Sequence, residues 1–135
     1  DYLHDNQISF VPYFPLASGL LTGKYKKDVS FPEDDIRSQI ADFKEPRYGK
    51  ILAAFDQVRE IDDAHHATVA QTVLAWYPKN PLISVVIPVA KHAEQVAANA
   101  KAMDVELTTD EYQTIKKAFN DFKNTKSGKS LKDPD

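Results

Sequence analysis

Two stretches of this chain carry the residue types that bind anions. In Val11-Pro12-Tyr13-Phe14-Pro15-Leu16-Ala17-Ser18-Gly19-Leu20-Leu21-Thr22-Gly23-Lys24-Tyr25, an apolar run ends in a turn bearing glycines and a lysine. Glycine lets backbone N–H groups come close to a ligand, and successive N–H groups in such turns make concavities that accept anions. In Val86-Ile87-Pro88-Val89-Ala90-Lys91-His92-Ala93-Glu94-Gln95-Val96-Ala97-Ala98-Asn99, an apolar run stops at Pro88 and Lys91 precedes a helical pattern. A cation beside a helix N-terminus is an anion-binding arrangement. Taken alone, each stretch is a generic signal: Gly19 and Gly23 equally serve to turn the chain, and Tyr13 and Trp76 equally serve as core aromatics.

The remaining chemistry-bearing residues are less promising. His65-His66 are adjacent, so on a helix they point in different directions, and no matching His or carboxylate spacing accompanies them. A helix break is the expected role, and no metal site is expected. His4 and His92 stand alone, Asp34-Asp35 sit in a charged loop, and Arg37 follows them closely enough for a surface pair. None of these is assigned to catalysis.

The elements that must position the two stretches follow from periodicity. Residues 1–7 look like a helix end, and Ile8 to Phe14 reads as a strand, with Pro12 inside it and Pro15 stopping it. From Pro15 to Pro46 no period is sustained, and a long loop of this kind is usually functional or mobile. Ile51, Leu52, Phe55, Val58 and Ile61 recur at helical spacing, and Thr68 with Gln71 forms a capping-box pattern ahead of Val69, Val73, Leu74 and Tyr77. Leu82 to Ile87 is a nearly continuous apolar run, as in a parallel strand buried on both faces. Val96, Ala100 and Met103 mark a short helix, and Thr108 with Glu111 caps a last one presenting Tyr112, Ile115 and Phe119. Strand, helical crossover, strand is a parallel β/α unit, and two such strands alone do not make a stable sheet.

Composition sets the bounds. In 135 residues, 42% hydrophobic and 10% aromatic content supplies one small domain and argues against general disorder. A net charge of -3 without a basic stripe argues against nucleic acid, and no apolar run approaches the roughly 20 residues that span a bilayer. With no signal-peptide pattern and no cysteine, the expectation is a cytoplasmic protein whose redox chemistry, if any, needs a bound cofactor. The chain begins at Asp1 and its one methionine is Met103, which points to a piece of something longer.

The two stretches together closely resemble the aldo/keto reductase family. There, the seventh barrel strand leads into an aromatic residue, Ser-Pro-Leu, a Gly and often Gly-Lys-Tyr, and the eighth into Ile-Pro-Gly-Ala, a basic or Ser residue, then Gln or Arg, Glu and Asn. Asp35-Ile36-Arg37, Thr68-Val69-Ala70-Gln71, Leu74-Ala75-Trp76 and Leu107-Thr108-Thr109-Asp110-Glu111 also echo the family, so the resemblance covers roughly residues 1–120. It implies that Tyr13 stacks on a nicotinamide, and that Pro15, Leu16, Gly19 and Leu20 wrap the pyrophosphate largely by backbone. Lys24 would neutralise phosphate charge, Arg37 would add a weaker cofactor contact, Pro88 and Lys91 would face an adenosine 2′-phosphate, and Gln95 and Asn99 would hold the adenosine end. A 2′-phosphate partner favours NADP(H) over NAD(H). Phe14 stands where the family has Ser, Val89 where it has Gly and Ala98 where it commonly has Glu.

The family's catalytic Asp, Tyr, Lys and His all lie on strands before the point where this chain starts, so no catalytic residue is assigned. A (β/α)8 TIM barrel takes about 250 residues. The expected fold is therefore α/β, a C-terminal part of such a barrel over residues 1–122 with two parallel strands and about four helices, followed by a polar tail over 123–135. The expected function is the cofactor-binding part of an NADPH-dependent reductase acting on a small carbonyl substrate in the intact parent. The alternatives are a catalytically inactive dinucleotide-binding or self-associating module, or a piece left by proteolysis or a broken reading frame. Exposed strand edges would dock on the missing N-terminal half of the barrel or on a second copy.

Overall fold

The structure, a computed structural model, describes residues 2–120. The expected tail from residue 123 lies outside them. Five α-helices follow in order: α1 (Tyr2–Asp5), α2 (Arg47–Ala64), α3 (Val69–Trp76), α4 (Ala93–Ala100) and α5 (Thr109–Asn120). No helix of the described residues is long and apolar enough to cross a membrane.

The helical periodicities become packing. On α2, Ile51, Phe55, Val58 and Ile61 are buried together with Tyr48 and Ala54. They meet Ile115 and Ala118 of α5, and Phe55 meets Phe119 edge-on with ring centroids 5.3 Å apart. Fully burying one such side chain contributes about 1.5–3 kcal/mol, so this seam stabilises both helices far more than their intrinsic propensities do. Leu107, 1% exposed, plugs the corner where the chain enters α5. Trp76, at the end of α3, stacks on Tyr112 at 5.1 Å and donates from Nε1 to the Tyr112 carbonyl at 3.1 Å.

Both expected capping boxes form. The Thr68 hydroxyl accepts from the Gln71 N–H while the Gln71 side chain accepts from the Thr68 N–H, and Thr108 and Glu111 do the same at the start of α5. His65 caps α2, His66 takes φ +49°, and His65 Nε2 lies 2.9 Å from Glu111 Oε1. The histidine pair is thus a helix break, tied to α5 by the hydrogen bond between His65 and Glu111.

Two expectations need correction. Among the described residues the strands at 8–14 and 82–87 reduce to one parallel bridge between Phe10 and Ile83, with Phe10 N–H donating to the Leu82 carbonyl at 2.7 Å. Strands exist through their ladders, and here each segment has at most the other as a neighbour, while Pro12 and Pro88 cannot donate. The parallel sense is as expected; the extended pairing is not formed. The short helix near residue 96 does form as α4, but it buries none of its residues, and Val96 and Met103 are exposed. Ala102, in the following 3-10 turn, is the buried residue there.

The long loop is ordered by aromatic rings. Tyr25, Phe31 and Phe43 meet pairwise edge-to-face with centroids 4.9–5.6 Å apart, and Phe43 reaches Tyr48 of α2 at 6.0 Å. Tyr48 donates its hydroxyl hydrogen to the Lys26 carbonyl at 2.7 Å. Three 3-10 turns, at Ala17–Thr22, Ile36–Gln39 and Ala41–Phe43, complete the loop.

Candidate functional site

The 3-10 turn at Ala17–Thr22 owes its shape to three residues in left-handed backbone: Ala17 (φ +46°), Ser18 (φ +56°) and Gly19 (φ +85°). Inside it, Gly19 N–H donates to the Leu16 carbonyl at 2.9 Å and the Thr22 hydroxyl donates to the Gly19 carbonyl at 2.6 Å. A Cβ at Gly19 would stand 3.1 Å from both Cε and Nζ of Lys24. The glycine therefore makes room for the lysine ammonium beside the turn, and Lys24 Nζ also lies 4.8 Å from the centre of the Tyr25 ring.

Arg37 is fixed from several sides. Its Nε donates to Asp35 Oδ1 at 2.9 Å, one Nη pairs with Asp35 Oδ2, and the other donates to the Tyr25 hydroxyl at 2.7 Å. The guanidinium carbon lies 4.5 Å from the centre of the Phe31 ring. The side-chain hydrogen bond from Arg37, with its backbone N–H next, holds the Asp35 carboxyl at about 2, so this pair stays ionised at any ordinary pH.

These residues surround a cavity of about 540 Å³. Pro15, Leu16, Gly19, Lys24, Arg37, Lys91 and Gln95 line it together, as do Phe14, Ala17, Ser18, Thr22, Ile36 and Val89. Segments more than fifty residues apart thus place three cations around one open space, as a polyphosphate requires.

The other expected residues lie elsewhere. Leu20 is 2% exposed and belongs to the hydrophobic core, so its side chain is structural. Tyr13 is 88% exposed and does not line the cavity; its ring meets Phe14 at 4.8 Å. Pro88 and Asn99 also lie outside the lining. Gln95 has a second duty: its Oε1 accepts from the N–H groups of Lys91, at 2.7 Å, and His92, at 3.3 Å, closing the N-terminus of α4. Val89, in place of the family's glycine, is absent from the positive-φ residues, so this turn accepts a β-branched side chain without left-handed strain. Gly23 (φ +72°) is packed rather than open, because a Cβ there would stand 2.8 Å from Val69 Cγ2. Among the described residues no cluster of His, Cys, Asp or Glu is arranged to hold a metal.

Phe14, Ala17, Ser18, Thr22, Ile36 and Val89 were missed as lining residues. Each is next to or within a motif already singled out, and neighbourhood in sequence was the one available signal.

The aldo/keto reductase family model matches residues 1–120. The chain is 34% identical over 110 residues to an aldo-keto reductase of Strobilurus tenacellus, covering 82% of this chain and 33% of that protein. It is 31% identical over 114 residues to a Schizosaccharomyces pombe aldo-keto reductase whose name specifies NADP(+), covering 84% and 34%. A probable voltage-gated potassium channel subunit beta of Arabidopsis thaliana is 35% identical over 102 residues, covering 73% and 30%. Among solved structures, a glycerol dehydrogenase of Gluconobacter oxydans matches with a TM-score of 0.79 at 23% identity, over 99% of this chain and 40% of that one, which shows the shared fold. The chain belongs to the aldo/keto reductase family. It spans about a third of the length of the curated relatives it matches.

Proposed function

We propose that this chain forms the phosphate-holding side of an NADP(H) site in an aldo/keto reductase. The observation that carries the reading is the convergence of Lys24, Arg37 and Lys91 on one cavity floored by the Gly19 turn. When bound, the nicotinamide cofactor supplies hydride to the carbon of a small carbonyl substrate. In this reading Lys24 and Arg37 hold the pyrophosphate, and Lys91, beside the start of α4, faces the 2′-phosphate. Gln95 holds the Lys91 backbone in place. Asn99 contributes to the adenosine end, and Tyr13, whose ring is exposed, offers it to the nicotinamide.

The same reading accounts for the apolar surface. Phe10, Val11, Tyr13, Phe14, Val85, Ile87 and Val89 are all exposed, at 46–88%, along the two bridged segments. An apolar face with open backbone groups is what a barrel strand pair presents to its neighbours, so the partner is the remaining part of a (β/α)8 barrel, which carries the catalytic groups.

Titration of the chain with NADPH and NADH, followed by nucleotide fluorescence, tests the reading. Lys91 is exposed, and an exposed ion pair contributes up to about 1 kcal/mol, so Lys91→Ala is expected to weaken NADPH roughly fivefold and to leave NADH unchanged. Equal loss for both nucleotides would remove the 2′-phosphate assignment.

A further inference from the structure

Arg37 lies on a short 3-10 turn, and its side chain meets Tyr25 and Phe31 of the ring cluster as well as Asp35. A guanidinium has five N–H donors. Asp35 takes those of Nε and one Nη, and the Tyr25 hydroxyl takes one from the other Nη, so one N–H on each Nη remains for a further acceptor. Asp35 is two residues away and travels with the turn, whereas Tyr25 comes from twelve residues upstream and is anchored on Phe31 and Phe43. Among the described residues Tyr25 gives the fork its hydrogen bond from outside the turn, while Phe31 adds a ring face 4.5 Å from the guanidinium carbon without fixing where its N–H groups point. Its ring face also meets Lys24 Nζ at 4.8 Å, so one tyrosine touches two of the three cations around the cavity.

We propose that Tyr25 is a positioning residue of the anion site, acting through its hydroxyl on Arg37, so that the guanidinium meets phosphate as a fixed fork and not as a mobile charge. The inference rests on the nucleotide reading above. Ordering a long side chain only at the moment of binding costs affinity, on the order of two- to tenfold for one arginine.

The test is a double-mutant cycle on NADPH affinity of the full chain. Tyr25→Phe removes the hydroxyl and keeps the ring that packs on Phe31, Phe43 and Lys24. It is expected to weaken NADPH about two- to tenfold with an unchanged circular dichroism spectrum, and to add less than about twofold in an Arg37→Ala background. The same cycle with Arg37→Gln guards against loss of the loop's fold in the alanine variant. An equal loss in the presence and absence of Arg37 overturns the proposal and makes Tyr25 a packing residue, as does unchanged affinity in Tyr25→Phe. Failure of the unaltered chain to bind NADPH at all sinks the nucleotide reading itself, and the role of Tyr25 with it.

Discussion

Two glycines of the loop hold left-handed backbone, Gly19 at φ +85° and Gly23 at φ +72°, yet the same substitution has different consequences at each. At either position alanine meets a conformation that costs an L-residue about 1–2 kcal/mol. At Gly19 the new methyl meets the flexible end of Lys24 at 3.1 Å, which swings aside. At Gly23 it meets Val69 Cγ2 at 2.8 Å and Cβ at 3.1 Å, on a β-branched residue fixed at the first position of α3 and packed against the core. Overpacking of that kind adds about 1–3 kcal/mol, so Gly23→Ala is expected to cost roughly 2–5 kcal/mol and Gly19→Ala roughly 1–2. At about 4 °C per kcal/mol, these are separable by thermal unfolding. Val69→Ala removes the obstructing methyls but not the backbone strain. In that background Gly23→Ala should fall to the cost of Gly19→Ala, a coupling of about 1–3 kcal/mol. If Gly23→Ala costs the same with Val69 as without it, the close approach of the turn to α3 is not what demands glycine there.

Further outcomes follow from buried groups. Leu107→Ala is expected to destabilise by about 2–5 kcal/mol in urea unfolding, since the residue is 1% exposed within the hydrophobic core. Burial pushes the Asp62 carboxyl above its ordinary 3.8, the Thr72 hydroxyl opposing the rise first, with Asp63 adding to it and Arg59 opposing it. Its contribution is therefore full below 3.8 and lost as pH rises through the folded value, so Asp62→Asn should gain stability at neutral pH and lose that advantage in acid. Glu111 is held below its ordinary 4.5, first by the Thr108 N–H and further by the Thr108 hydroxyl and His65. Its contribution is present above 4.5 and lost as pH falls through the lowered value, so acid unfolding followed by circular dichroism should be shallower in Glu111→Gln.

Helices α2, α3 and α5 were legible because their signals are local: an apolar residue every three or four positions, and Thr-x-x-Gln or Thr-x-x-Glu at the start, whose hydrogen bonds close within one turn. The two stretches that line the cavity were legible for the same reason, as short motifs around Gly19 with Lys24 and around Lys91. The extended segments were not, because a strand is defined by neighbours that its own sequence does not contain, and among the described residues Phe10 and Ile83 pair only with each other.

Nor did the sequence distinguish side chains that look alike in a motif. Leu16 and Leu20 read as equals, but one lines the cavity and the other closes the core. Gln95 reads as a nucleotide contact, but it also caps its own helix behind His92, an N-cap residue that the usual Ser/Thr/Asp/Asn signature does not include. The sequence by itself determined the family, the principal helices and which residues carry positive charge near the turns. Only the tertiary structure decided which of those charges share a cavity, and that Tyr25 pins Arg37, since contacts between residues 12 to more than 60 positions apart depend on how the helices pack and not on any spacing along the chain.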